Sequence, residues 1–166
     1  LQKLAQVLQF TLPGSPNLYY GTELGMDGAN DPMNRAPMRW DLVNDENQEL
    51  TWVKTLINTH KNNRALKVGD FTSIYSEDLL VYMRTTDNVE DTCIIVINPL
   101  NKPVKETVLL KDSKLMNFSR FKVILGEVEP LTLLAGLITL DLKAHGFVIF
   151  KPDTSVEKSY TPYKRV

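Results

Sequence analysis

The 166-residue sequence has a single cysteine, Cys93, so no internal disulfide can staple it. Its two histidines, His60 and His145, are too far apart to read as a zinc-binding pair, and no metal ligand is assigned. Charge of one sign is lacking too: 19 Lys and Arg stand against 20 Asp and Glu, a formal net charge of -1. That balance excludes the broad basic face that a phosphate backbone requires, so nucleic acid is not an expected partner. No apolar run approaches the roughly 18–20 residues that cross a bilayer, and no basic-then-apolar leader opens the chain. A membrane is therefore not an expected partner either. What remains, with 43% hydrophobic residues, is the composition of an ordinary globular protein of one or two domains.

Helical periodicity is present from the first residue. Leu1, Leu4, Ala5 and Leu8 keep the i, i+3, i+4, i+7 spacing of an amphipathic helix with no capping residue ahead of them. The reading is of a chain that starts inside a helix, as the C-terminal piece of something longer. Pro13, Gly14 and Pro16 end that helix, and the short apolar run Asn17-Leu-Tyr-Tyr20 fits a buried parallel strand. Residues 21–47 are rich in Gly, Pro, Asp and Asn and predict a long loop, which is uncommon without a function. Asn47 is placed to cap a second helix, with Leu50, Val53, Leu56, Ile57 and His60 on one face up to about Asn62.

From residue 71 the period changes to that of strands, over 71–75, 79–85, 92–98, 104–110, 121–125, 137–142 and 147–151. Short strands separated by turn residues predict an antiparallel sandwich, with Pro103 and Pro130 between strands rather than within them. Cys93 lies in the apolar run Thr92-Cys-Ile-Ile-Val-Ile-Asn98 and is expected to fill core. The expected fold class is thus α/β plus all-β, and the chain divides into residues 1–66, a sandwich over 67–151 and a tail over 152–166. One strand and two helices cannot bury a parallel sheet, so the first part is expected to pack on missing chain or on a partner. Its uncovered face, predicted at Leu1, Leu4, Leu8, Leu18 and Leu56, would favour self-association.

Most residues capable of chemistry fall in the stretch Gly25-Met-Asp-Gly-Ala-Asn-Asp-Pro-Met-Asn-Arg-Ala-Pro-Met-Arg-Trp-Asp41. Asp27, Gly28, Asn30 and Asp31 resemble a calcium loop, but the twelfth position, where an EF-hand needs a bidentate Glu, is Met38. Glu23 and Asp31 invite a glycosidase acid/base reading, which needs two carboxylates facing one bond. Asp31 and Arg35 are four apart across Pro32, and a carboxylate acceptor beside a guanidinium donor can hold adjacent sugar hydroxyls as a fork. Met26, Met38, Trp40, Tyr19 and Tyr20 can offer apolar faces to a sugar ring. An internal ion pair that pins the loop is the alternative use of the same two residues. Outside the loop, His60 on the apolar helix face reads as a satisfied buried histidine rather than a ligand, and His145, before Gly146, as a turn residue. Asn117-Phe-Ser119 is a glycosylation acceptor pattern, and Lys164-Arg165 an ordinary charged chain end.

The run Phe10-Thr-Leu-Pro-Gly-Ser-Pro-Asn-Leu-Tyr-Tyr-Gly-Thr-Glu-Leu-Gly25 resembles the segment around the eighth barrel strand of the α-amylase superfamily, glycoside hydrolase family thirteen. Residues 28–35 resemble the following loop in neopullulanases, cyclomaltodextrinases, maltogenic amylases and cyclodextrin glucanotransferases. Pro37-Met-Arg-Trp-Asp41 is similar to a motif shared with the α-glucosidase branch. Asn17 departs from the usual apolar residue. Beyond residue 41 the likeness is looser: residues 56–70 resemble the entry to the family's C-terminal β-domain, and residues 142–150 its last strand.

The resemblance implies the last strand and flanking helices of a (β/α)8 barrel followed by an antiparallel C-terminal β-sandwich. It implies that Asp31 and Arg35 bind a glucose unit of an α-glucan oligosaccharide, while Glu23, Gly21, Gly14 and Pro16 shape the strand end. The family's Asp nucleophile, Glu acid/base and third Asp all lie upstream of Leu1. No residue here is therefore assigned a catalytic role, and the piece is expected to be inactive without the missing N-terminal part of the barrel. No cofactor is assigned, and calcium in the longer protein cannot be ascribed to any residue here. Two other readings stand beside this one: a starch-binding module, whose sandwich has no Trp and whose aromatics are mostly expected to face a core, and a non-catalytic amylase-like scaffold.

Overall fold

The computed structural model describes residues 1–155. The first helix, α1 (Gln2–Thr11), stops where Pro13 forces Leu12 out of helical geometry, with Leu12 extended at φ -69° and ψ 159°. Its buried face is Leu4, Val7, Phe10 and Thr11, together with Gln6. The expected stripe of Leu1, Leu4, Ala5 and Leu8 is therefore offset, because Leu1 and Ala5 remain exposed. Residues 17–20 form no strand. A lone extended segment is not a strand without a ladder partner, and the described residues supply none beside it. The long loop carries three short 3₁₀ turns, Thr22–Leu24, Met33–Arg35 and Trp40–Leu42. Helix α2 (Gln48–Asn62) follows, capped as expected by the Asn47 side chain, and a short α3 (Arg64–Val68) leads into the sheets.

All seven expected strands are present: β1 (Asp70–Ile74), β2 (Leu80–Thr85), β3 (Cys93–Ile97), β4 (Val104–Leu109), β5 (Phe121–Gly126), β6 (Leu137–Leu142) and β7 (Phe147–Pro152). They pair antiparallel as a five-stranded sheet, β1-β2-β3-β7-β5, and a two-stranded sheet, β4-β6. A register shift between Val123 and Leu125 bulges β5, which ends at Gly126 with φ +91°. A Cβ at Gly126 would collide with the Phe147 carbonyl, so this turn requires glycine. Strand β7 extends to Pro152, past the expected end of the sandwich, and the Asp153 amide donates to the Arg120 carbonyl at 2.9 Å. The rest of the expected tail, including Lys164-Arg165, lies outside the described residues.

The five-stranded sheet is covered on both faces. Val81, Met83, Ile94, Val96, Val148 and Phe150 face the two-stranded sheet, packing with Val104, Val108, Ile138, Leu140 and Leu142. From its other face Tyr82, Cys93, Ile95, Ile97 and Ile149 pack against Leu4, Val7, Phe10, Leu56, Ala65 and Leu66 of the helices. Strand β3 is buried at every position, which explains why its sequence is an unbroken apolar run instead of an alternation. The helices thus find cover for one face on the sheet of this same chain. Of the five residues expected to be uncovered, Leu4 and Leu56 are buried, Leu8 and Leu18 are half-buried against this cluster, and Leu1 is exposed.

Polar contacts bind the same layers. Arg84 on β2 is fully buried; its Nη1 donates to the Thr11 carbonyl at 2.7 Å, and its Nε and Nη2 donate to the Gly69 carbonyl at 3.2 and 2.9 Å. A cation at the C-terminal end of α1 also meets the negative end of that helix dipole. Thr11 Oγ1 donates to the Val7 carbonyl, so the 2.5 Å contact with Tyr82 has the tyrosine hydroxyl as donor. Trp52 Nε1 donates to Gln6 Oε1 at 2.7 Å while its ring meets Phe147 edge-on.

Candidate functional site

The loop that holds the candidate residues is fastened at its base and open at its tip. Leu24 is buried, whereas residues 27–37 are all exposed. Across the cis Asp31-Pro32 bond the chain makes the Met33–Arg35 turn, which brings Arg35 back over Asp31. Arg35 Nε and Nη2 both donate to Asp31 Oδ1, at 2.9 and 2.5 Å. The two side chains are 65% and 66% exposed. The expected juxtaposition therefore exists as an ion pair on an open surface. Pairs of this kind are worth about 0–1 kcal/mol, so a ligand that offers hydroxyls to both groups can open the pair at little cost.

Around the pair the loop shows several apolar faces. Tyr19, Trp40 and Met33 are 62%, 73% and 70% exposed, and Tyr20 is 40% exposed. Met26 and Met38 are half-buried. The rings of Tyr19 and Tyr20 lie 4.8 Å apart, and the Tyr20 hydroxyl points at the carbonyls of Ala36 and Asn34, at 3.2 and 3.4 Å. Loss of solvent, then the charge and hydrogen bond of Tyr19, push the Tyr20 phenol up, with Arg35 acting in the opposite direction. Tyr19, Tyr20, Met26, Asp27, Asn34 and Ala36 help to line a cleft of about 230 Å³.

Several features were not legible from motifs. Arg39 and Asp41 form a fork of their own, Nε to Oδ1 at 2.8 Å and Nη2 to Oδ2 at 2.5 Å, which raises the Arg39 pKa and holds the Asp41 carboxyl below its usual range. The Arg-x-Asp spacing was the available signal. Asn47 was read as a cap, yet its Nδ2 also donates to the carbonyls of Leu24 and Leu42 at 3.2 and 3.0 Å. Among the described residues, no group of three or more His, Cys, Asp or Glu side chains is gathered to hold a metal ion. Glu23 lies in the Thr22–Leu24 turn.

The residues outside the loop behave as local structure. His60 Nδ1 contacts the Phe10 carbonyl at 2.8 Å, and its ring meets Phe10 edge-on, so the half-buried histidine is satisfied. His145 occupies a turn with φ 53°. Cys93 is buried as core, and burial pushes its thiol up to about 12. Asn117 Oδ1 accepts from the Ala135 amide at 2.6 Å. Sandwich aromatics divide: Tyr82 and Phe150 are buried, but Phe71, Tyr75 and Phe118 are 45%, 84% and 66% exposed, more than the strand pattern led us to expect.

Comparison with known proteins gives a consistent class. The chain is 34% identical over 153 residues to a cyclomaltodextrinase of Geobacillus thermopakistaniensis, a match over 89% of this chain and 24% of that protein. It is 36% identical over 106 residues to an amylopullulanase of Thermoanaerobacter thermohydrosulfuricus, 58% of this chain and 7% of the relative. In structure it resembles the acarbose-complexed α-amylase of Geobacillus thermoleovorans, with a TM-score of 0.76 at 26% identity over 95% of this chain and 33% of the other. The native Nostoc punctiforme debranching enzyme superposes with a TM-score of 0.75 at 26% identity, covering 90% and 30%. No family model matches the sequence. The antiparallel β-domain and its flanking helices are of the class found in glycoside hydrolases. Within that class, the chain corresponds to an α-amylase family C-terminal region, spanning about a quarter of the length of the cyclomaltodextrinase it matches.

Proposed function

We propose that this chain is the C-terminal part of a retaining α-glucan hydrolase of the cyclomaltodextrinase and neopullulanase type, and that it carries part of the substrate site without the catalytic carboxylates. Residues 1–66 would be the end of the (β/α)8 barrel, residues 67–151 the C-terminal β-domain, and residues 17–20 the eighth strand, paired once upstream chain lies beside them. The observation that carries the reading is the Asp31–Arg35 pair, displayed on an exposed loop beside Tyr19, Met33 and Trp40. A fork with one acceptor and several donors matches vicinal hydroxyls, and aromatic faces match the apolar face of a sugar ring. By the same reading the chain alone is inactive, and Leu1 and Ala5 on α1 meet the rest of the barrel; a second copy meeting them instead would give self-association.

Replacing Arg35 in the protein that carries this chain behind its catalytic barrel tests the assignment. Arg35→Ala is expected to lower kcat/KM for maltoheptaose about tenfold or more, the loss of a charged hydrogen-bond donor, with the unfolding midpoint unchanged. Unchanged kinetics would refute the role of the fork.

A second reading is favoured by the exposure of Tyr75 and Phe118, which could make the sandwich itself a starch-binding surface. Retardation of the chain in a gel containing soluble starch, abolished by Tyr75→Ala and Phe118→Ala together, would support it; unretarded migration would remove it.

A further inference from the structure

The loop that displays Asp31 and Arg35 contributes little to the core, so its placement must come from polar contacts at its ends. One side chain supplies them at both ends. Asn47 Oδ1 accepts from the amides of Glu49 and Leu50 at 3.0 and 3.1 Å, which caps α2. Asn47 Nδ2 donates to the carbonyls of Leu24 and Leu42 at 3.2 and 3.0 Å, the two residues that bracket residues 25–41. Leu24 is buried, so the carboxamide joins the far end of the loop to an anchored near end and ties both to the start of a packed helix. Asn44 supports the join, with Nδ2 donating to the Asp41 carbonyl at 2.9 Å and Oδ1 accepting from the Asn47 amide at 3.1 Å. Midway along the loop, Tyr20 adds its contact to Ala36.

We infer that Asn47 is a positioning residue for the Asp31–Arg35 fork, acting through the two carbonyls that its Nδ2 holds. The inference rests on the α-glucan reading for its ligand but not for its geometry. A loop held in its binding geometry avoids the ordering cost that a free loop meets on binding. The requirement is for a carboxamide: a carboxylate caps a helix as well as Asn does but has no donor. Asn47→Asp therefore keeps the cap, removes both loop contacts and sets a carboxylate against two carbonyl oxygens.

The test uses the full chain with nitroxides on Met33→Cys, at the exposed loop tip, and Lys54→Cys, on the exposed side of α2. Cys93 is buried and its raised thiol pKa keeps it unlabelled. A single narrow spin–spin distance is expected with Asn47, and a distribution at least about twice as broad with Asn47→Asp, at unchanged far-UV dichroism. Asn47→Ser, another good cap, is expected to broaden it likewise. In unlabelled chain, titration with maltoheptaose followed at the Arg35 Nε–H resonance should give a Kd raised about fivefold or more by Asn47→Asp, the scale of two neutral hydrogen bonds. A distance distribution unchanged by either variant overturns the proposal, as does an unchanged Kd alongside a broadened one. Broadening together with no maltoheptaose binding even by the chain with Asn47 would leave the clamp standing and show that the fork does not hold a glucan by itself; the α-glucan reading then falls or stands on the Arg35→Ala kinetics of the longer protein.

Discussion

Replacing Arg84 by Met should separate the helices from the sheet they cover. Met fills most of the same space, so the loss is confined to the three hydrogen bonds that Arg84 makes to Thr11 and Gly69. Thr11 is 1% exposed, and its carbonyl would have no donor in place of Nη1. Each abandoned acceptor costs about 1–3 kcal/mol, and relief from burying a cation that makes no salt bridge among the described residues offsets part of the sum. The expected net loss is about 2–4 kcal/mol, a drop in Tm of about 5–15 °C for a domain of this size. Urea unfolding followed both by far-UV dichroism and, in a Trp40→Phe background, by the fluorescence of Trp52 measures it; Trp52 lies on α2 and packs on Phe147 of β7, so its emission reports the helix–sheet contact. In the parent chain the two probes should fall together; in Arg84→Met both midpoints drop, and the fluorescence midpoint, which reads the helix–sheet contact, falls first. A loss below about 1 kcal/mol, or probes that still coincide at the parent midpoint, would show that apolar contact alone holds the layers together.

Glu106 is a half-buried carboxylate with a measurable consequence: burial pushes its pKa up, but hydrogen bonds from Ser76 Oγ and the Glu77 and Asp78 amides outweigh this and hold it below its ordinary value. Because the folded-state pKa is depressed, the stabilisation is complete above the ordinary carboxylate range and is lost as pH falls through the lowered value. Glu106→Gln should therefore lower the urea midpoint at pH 7, and the gap to the parent chain should narrow as pH falls below the ordinary carboxylate range; a gap independent of pH would refute the assignment. Cys93, buried with its thiol pushed up to about 12, should resist iodoacetamide at pH 8 in the folded chain and react at the rate of a free thiol in 6 M urea. Rapid alkylation of folded chain would mean that the sheet centre opens.

The strands and α2 were legible because their signals are local. The alternation of β6, with Ile138, Leu140 and Leu142 buried and Leu137, Thr139 and Asp141 exposed, can be read from six residues. The capping function of Asn47 and the four-residue spacing of Asp31 and Arg35 were legible for the same reason. What could not be read was which surface each element faces. On α1, both the stripe containing Leu1 and Ala5 and the stripe containing Val7 and Phe10 are plausible helix faces, and the sheet decides between them through contacts with Tyr82 and Ile95, more than seventy residues away. Arg84 sits in a strand pattern as an ordinary outward charge, and nothing nearby in sequence shows that two carbonyls wait for it. The segment at residues 17–20 failed as a strand for the converse reason, since strand propensity says nothing about whether a neighbour exists.

The same geometry bears on where the chain divides. A border at residue 66 follows the likeness to a barrel and a β-domain, but the cluster that contains Leu56, Ala65 and Leu66 continues into Tyr82, Ile95, Ile97 and Ile149. A chain beginning at residue 67 would leave those four side chains, each buried to within 2% of completely, facing water on the open side of the five-stranded sheet. At about 1.5–3 kcal/mol for each such side chain, that exposure is comparable with the whole stability of one small β-sandwich. The helices that flank the long loop are thus also the second cover of the sheet. That double use gives the loop a rigid base: α2, whose cap holds Leu24 and Leu42, is pinned through Val53 and Leu56, while the loop itself stays exposed where a glucan would meet it.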